Sequence, residues 1–91
     1  MRWEIDLGGL DTQEALESHL AERGISVDDI WSVAADGVPR RKGDRIYLFG
    51  RATDGEPIVA VLAPAKDGWR PRTAWVMDDR ERRWWRKHGG R

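Results

Sequence analysis

Arg45-Ile46-Tyr47-Leu48-Phe49-Gly50-Arg51-Ala52-Thr53-Asp54-Gly55-Glu56-Pro57-Ile58-Val59-Ala60-Val61-Leu62-Ala63 is the stretch whose reading decides the fold. From Arg45 to Thr53 the side chains alternate in character, the period of a strand with two unlike faces. Asp54-Gly55 is a strong hairpin signal, because both central positions of a two-residue turn favour positive φ. Ile58 to Ala63 is nearly all apolar, which predicts a central strand covered on both faces. An antiparallel sheet is therefore the organising element.

Downstream, Asp67-Gly68 marks another turn. Trp69 to Met77 reads as a third strand, with Pro71 best tolerated at an edge. Asp78 with Glu81 has the capping-box spacing and opens a last helix carrying Trp84 and Trp85. Upstream, Pro39-Arg40-Arg41-Lys42-Gly43-Asp44 reads as a basic loop. Before it, Val27, Ile30, Trp31 and Ala34 follow helical spacing behind a Ser26–Asp29 cap, and Asp36-Gly37 ends that helix. An earlier helix has Asp11 as cap, Glu14 reaching back to it, and Ala15, Leu16, Leu20 and Arg23 on one face; Gly24 stops it. Trp3-Glu4-Ile5-Asp6-Leu7 alternates like a short strand. The predicted class is α+β: an N-terminal helical hairpin with an optional short strand before it, a three- to four-stranded antiparallel sheet, and a C-terminal helix.

The 91 residues make a single domain, 1–91, with no repeat. A chain of this size buries roughly 60–65% of its unfolded surface, enough for one modest core. It has no cysteine, which excludes disulfides, thiol nucleophiles and thiolate zinc sites. No apolar run approaches the length that spans a bilayer, and Met1-Arg2-Trp3-Glu4 lacks a signal peptide's apolar stretch, so a cytoplasmic address without a membrane partner is expected. Net charge is zero, yet residues 1–37 hold two bases and nine acids (−7) while residues 38–91 hold fourteen bases and seven acids (+7). The second half is suited to a polyanion or an acidic partner; the alternative is a solvated charged surface.

Side chains alternate across a sheet, so the turns decide which residues share a face. With both Asp-Gly pairs as two-residue turns, Arg51 lies opposite Ile58, Phe49 opposite Ala60, and Ala60 opposite Trp75. One face then holds Tyr47, Phe49, Arg51, Ile58, Ala60, Leu62, Thr73, Trp75 and Met77. The other holds Ile46, Leu48, Val59, Val61, Ala74 and Val76, with Arg72 near one end. Aromatic rings and guanidinium groups on an open sheet suit base stacking and phosphate contact. Alternatively, these aromatics form a second core beneath the last helix through Trp84 and Trp85. A one-residue error in either turn changes the grouping.

Three segments resemble the BrnT-like ribonuclease toxins, a branch of the RelE/ParE-type toxin fold. They are His19 through Ile30, Leu48-Phe49-Gly50-Arg51-Ala52-Thr53-Asp54-Gly55, and Arg70 through Met77 continued by Glu81-Arg82. The resemblance covers about three quarters of the chain and rests on the order and spacing of the segments. It implies a compact sheet, an RNA-cleaving activity and a cognate antitoxin, itself expected to carry a DNA-binding domain. This chain departs from the pattern at Trp75 and Glu56, where the family often has arginine, and at Arg23, where it has lysine. A catalytically inactive binding protein and a ParE-type inhibitor of a protein target are the competing readings.

A small ribonuclease must align the RNA 2′-OH, remove its proton and stabilise charge on the phosphate. Arg51 is the first candidate for the last task, because a guanidinium matches phosphate oxygens and stays charged. Glu81 is a candidate base as well as a capping residue, and Tyr47 a candidate for orienting the phosphate as well as a packed sheet residue. Arg40, Arg41, Lys42, Arg70, Arg72 and Trp75 are candidates for RNA binding. Arg80, Arg83 and Trp84 are candidates for the antitoxin, with Arg82, Arg86 and Lys87 adding charge to that helix. His19 reads as a helix-packing or surface residue and His88 as part of a basic tail. Asp78, Asp79, Glu81 and His88 do not share a helical face, so no metal or other cofactor is expected.

Overall fold

The strands that flank Asp54-Gly55, β2 (Arg45–Arg51) and β3 (Pro57–Ala65), pair antiparallel with Arg51 opposite Pro57. The structure is a computed structural model and describes residues 3–91. The hairpin turns over three residues rather than two. Ala52 N donates to Glu56 O at 2.8 Å, and Gly55 N donates to Ala52 O at 2.9 Å. Gly55 has φ +91°, the left-handed position of a three-residue loop that closes with a glycine bulge.

Before β2 the chain forms α1 (Leu10–Ala21), α2 (Val27–Asp36) and β1 (Val38–Lys42); after β3 it forms β4 (Gly68–Val76) and α3 (Asp79–Lys87). The sheet is a four-stranded antiparallel meander, β1-β2-β3-β4, with β1 and β4 at its edges. The segment expected to be a basic loop is thus mostly strand. Pro39 is accommodated there because β1 is an edge, and Gly43-Asp44 make the tight turn into β2. Trp3–Leu7 does not form a regular strand. Ile5 makes one isolated parallel bridge to Trp69 at the β4 edge, with Trp69 N donating to Glu4 O and Asp6 N to Trp69 O.

The sheet register corrects the predicted faces. The three-residue loop places Phe49 opposite Val59, not Ala60. At the next hairpin Ala65 pairs with Gly68, so Lys66-Asp67 is the turn. A β-bulge follows: Val61 pairs with Thr73 but Leu62 with Pro71, and Arg72 is the extra residue. Trp75 therefore meets Val59, not Ala60. The two one-residue errors offset each other across the sheet, so only the middle strand is reversed. Ile58, Ala60 and Leu62 join Ile46 and Leu48 beneath α1 and α2; Val59 packs with Phe49, Met77 and Trp85 on the other side.

Helix boundaries follow their caps, with one correction. Gly9, not Asp11, precedes the first turn of α1, and no side chain caps it. Gly24 has φ +70°; its N–H donates to Ala21 O, and Ile25 N donates to Leu20 O. That bond pair is a Schellman ending, with Ile25 and Leu20 both in the core. In α2 the core positions are Ile30, Val33 and Ala34, while Trp31, expected in the core, is 37% exposed. The capping boxes at Ser26–Asp29 and Asp78–Glu81 both form. Two cores result, one under α1 and α2 and one under α3, separated by the sheet. No helix among the described residues is long and apolar enough to cross a membrane.

Candidate nucleic-acid interface

Strand alternation in β1 sorts the basic residues. Arg40 pairs with Tyr47 and Val38 with Phe49, so Arg40 and Lys42 share the α3 side of the sheet. Arg41 pairs with Ile46 and belongs to the opposite side. The guanidinium carbon of Arg40 lies 4.9 Å from the Trp84 ring centroid, and Lys42 Nζ lies 4.9 Å from that of Tyr47. Both are within cation–π range. Trp84 leans on Phe49 at 4.6 Å and stacks on His88 at 4.2 Å, 18° between planes. Tyr47 meets Trp75 edge-on at 6.1 Å. Tyr47, Trp75 and Trp84 are half-buried, so the second core ends in aromatic surface fringed by cations. Arg83, Arg86 and Lys87 border a groove beside Trp84. Among the described residues, Arg80, Arg83, Arg86 and Lys87 form no ion pair.

Arg51 is exposed on the same side of the sheet, 5.0 Å from the Trp85 ring centroid. Its Nε donates to Arg91 O at 2.6 Å and its Nη1 to Gly55 O at 2.8 Å. Two oxygens thus already sit in its fork. Around it is a cavity of about 290 Å³ whose walls include Val38, Gly50, Trp85 and Gly90. Two pleats separate Arg51 from Tyr47, roughly 13 Å along the strand. Glu81 is committed elsewhere. Its carboxylate accepts from Trp75 Nε1 at 3.0 and 3.2 Å and from Asp78 N at 3.0 Å. Arg51, Tyr47 and Glu81 therefore share a face without closing into a compact triad.

Arg70 and Arg72 are not on this interface. Arg70 pairs with Asp6 at 3.4 Å beside the Ile5–Trp69 bridge, and Arg72 is the exposed bulge residue on β4. Glu56, which stands where the resembling family often has arginine, pairs with Arg82 of α3 at 3.7 Å and ties the hairpin loop to that helix.

Three features were missed in the sequence. His88 reads as a tail residue, yet its Nδ1 lies 2.7 Å from Trp84 O and its ring extends the aromatic stack. Asp29 reads only as a cap, yet among the described residues it is the buried charged side chain, 7% exposed. One oxygen accepts from Ser26 N and Oγ, and the other from Thr53 N and Oγ1. Burial pushes its pKa up, but these hydrogen bonds outweigh it and hold the carboxyl below the usual aspartate value. His19 and Arg23 meet at Thr73 Oγ1; their four-residue spacing on α1 was the available signal. Compared with known proteins, the chain matches no family model, no curated protein and no solved structure.

Proposed function

We propose that this protein grips single-stranded RNA along the face built by β1, β2 and α3, and that Arg51 there assists a toxin-type cleavage by the RNA 2′-OH. The observation that carries the reading is the pairing of cations with half-buried rings, Arg40 at Trp84 and Lys42 at Tyr47, beside the ion-pair-free basic residues of α3. Rings offer stacking to any base, and the cations follow the phosphates. Arg51 suits the developing phosphate charge because it is exposed and its Nη2 has no hydrogen-bond partner among the described residues, while Nε and Nη1 are held by backbone oxygens. The 2′-OH is a nucleophile tethered to the phosphorus it attacks, so the chemistry requires no metal-activated water. A cognate antitoxin with an acidic segment would cover Arg80, Arg83 and Trp84 and block the RNA. Cytoplasmic RNA is the substrate that fits this reading.

A second reading, binding without cleavage, has one specific observation behind it. Glu81 accepts three N–H contacts from Trp75 and Asp78, which leaves it poorly placed to take a proton. Purified protein incubated with RNA and excess chelator separates the two. Cleavage should persist, a 2′-deoxy residue at the cut site should block it, and the 5′ fragment should end in a cyclic or 3′-phosphate. Cutting of the deoxy-substituted strand would sink the mechanism. Tight binding without cutting favours the second reading, and absence of RNA binding removes both.

A further inference from the structure

Where α1 lies against the β4 edge, basic groups from both halves of the chain converge. Thr73 Oγ1 lies 2.8 Å from His19 Nε2 and accepts from Arg23 Nη1 at 2.6 Å; Arg23 Nη1 also reaches Ala74 O at 3.3 Å. When Thr73 donates to Nε2, or when the ring is charged, His19 Nδ1 carries a proton, and no protein acceptor for it is present among the described residues. Beside this cluster is a cleft of about 210 Å³. Leu16 and Pro71 supply apolar wall, while Thr12, His19, Arg70 and Arg72 bring polar groups.

Three features point to an anion. The residues that line the cleft include Arg70, Arg72 and His19 and no acidic residue. The Arg70 side chain gives Nη2 to Asp6 and has no other hydrogen-bond or ion-pair partner among the described residues, so its Nη1 is left for an anion. Arg72 is turned out by the β-bulge and has no ion-pair or hydrogen-bond partner among the described residues. Bulges of this kind re-aim a side chain away from its ladder position.

We infer that this cleft is a phosphate-binding site, separate from the α3 face. The phosphate oxygens meet Arg72 and Arg70, with His19 and the Thr12 hydroxyl as further donors, while Arg23 and Thr73 hold the imidazole in place. The apolar wall takes the carbon skeleton of a phosphate ester. The group bound is either a monoester, as at a 5′ end, or a diester within a strand.

The test is titration with inorganic phosphate, following the His19 ring and Thr73 amide resonances by NMR, with chloride at equal ionic strength as control. Saturable shifts are expected, with a dissociation constant on the order of 1 mM. Arg72→Ala should weaken binding about tenfold, as loss of a charge-assisted fork predicts. Lys66→Ala removes the same charge from the exposed turn that precedes β4, outside the cleft lining, and should change nothing. Because Arg72 is exposed, its replacement leaves the fold intact, which the unchanged spectrum of the core would verify. A short RNA with and without a 5′-phosphate, followed at the same His19 and Thr73 resonances, then identifies the source: shifts there with the phosphorylated form alone assign a monoester, and shifts with both assign a diester. Shifts reproduced by chloride, or unaffected by Arg72→Ala, would overturn the site. RNA binding at α3 enters none of these readouts, so the two proposals fail independently.

Discussion

Asp29 has both carboxylate oxygens occupied, one by the start of α2 and one by Thr53 in the β2–β3 loop. It therefore ties the start of α2 to the β2–β3 loop. Asp29→Ala removes the acceptor and leaves the Ser26 and Thr53 donors unmatched. The expected loss is about 2–4 kcal/mol, read from urea denaturation at neutral pH. Its folded pKa lies below the unfolded value. The contribution is thus complete above the unfolded pKa and disappears as pH falls through the folded one. The stability gap between wild type and Asp29→Asn should accordingly narrow below about pH 4, the usual aspartate range. A gap that stays constant to acid pH would show that the carboxylate charge is irrelevant. Arg51 belongs at this scale too. If its proposed role holds, expression without a partner arrests growth and Arg51→Ala relieves the arrest while the purified variant keeps its circular dichroism. Equal toxicity of the two would remove Arg51 from the mechanism. The capping role of Asp29 was legible in the sequence. The partners of Asp29 were not, because Thr53 is 24 positions away and meets it only after the hairpin closes.

Among the elements, β1 makes the sharpest distinction. As a loop, Arg40, Arg41 and Lys42 would be equivalent; as a strand they are not. Arg40 and Lys42 share the aromatic side and Arg41 lies on the other. Neutralising Arg40 or Lys42 should lower the salt slope of RNA binding by about 0.7 each, the value for one phosphate contact on a single strand. Arg41→Ala should leave the slope unchanged. Equal effects at all three would mean that the segment acts as a flexible basic loop. The hairpin loop permits a second measurement. Gly55 holds φ +91°, so Gly55→Ala should cost roughly 1–2 kcal/mol for a left-handed residue. The same replacement at Gly9, φ −75°, has open space and ordinary backbone geometry, and should cost little. Turns were readable near Asp54-Gly55 and Asp67-Gly68, but the length of the first and the position of the second, at Lys66-Asp67, were not. A glycine after an aspartate serves a two-residue turn or the closing bulge of a longer one, and only strand pairing selects between them.

At the level of the whole molecule, one sheet is buried on both faces. The side under α1 and α2 is aliphatic and the side under α3 is aromatic. Trp85 anchors the second side, 3% exposed, with Gly90 folded against its indole so closely that a Cβ there would overlap the ring. Trp85→Ala should cost about 3–5 kcal/mol, comparable to Leu20→Ala in the other core at about 2–5 kcal/mol. Since both cores share the sheet strands, unfolding should be a single transition. Far-ultraviolet circular dichroism and tryptophan fluorescence should therefore give the same midpoint. Separate midpoints would mean that α3 is released before the sheet melts.

Apart from β1 and the segment before α1, the sequence by itself determined the kinds of elements, their order and most of their ends, because these depend on neighbours a few residues apart. Period, capping boxes and glycine stops all act within a turn or two of chain. It also determined that a basic second half follows an acidic first half. Tertiary structure decided the sheet register, the exposure of Trp31, the strand state of Arg40–Lys42 and the separation of Arg70 and Arg72 from the aromatic face. It also brought His19 and Arg23 to Thr73, 54 and 50 positions along the chain. The physical reason is that side-chain direction in a sheet reverses with every residue. A single added residue in a loop or bulge therefore changes which groups meet while leaving composition and local propensity nearly unaltered.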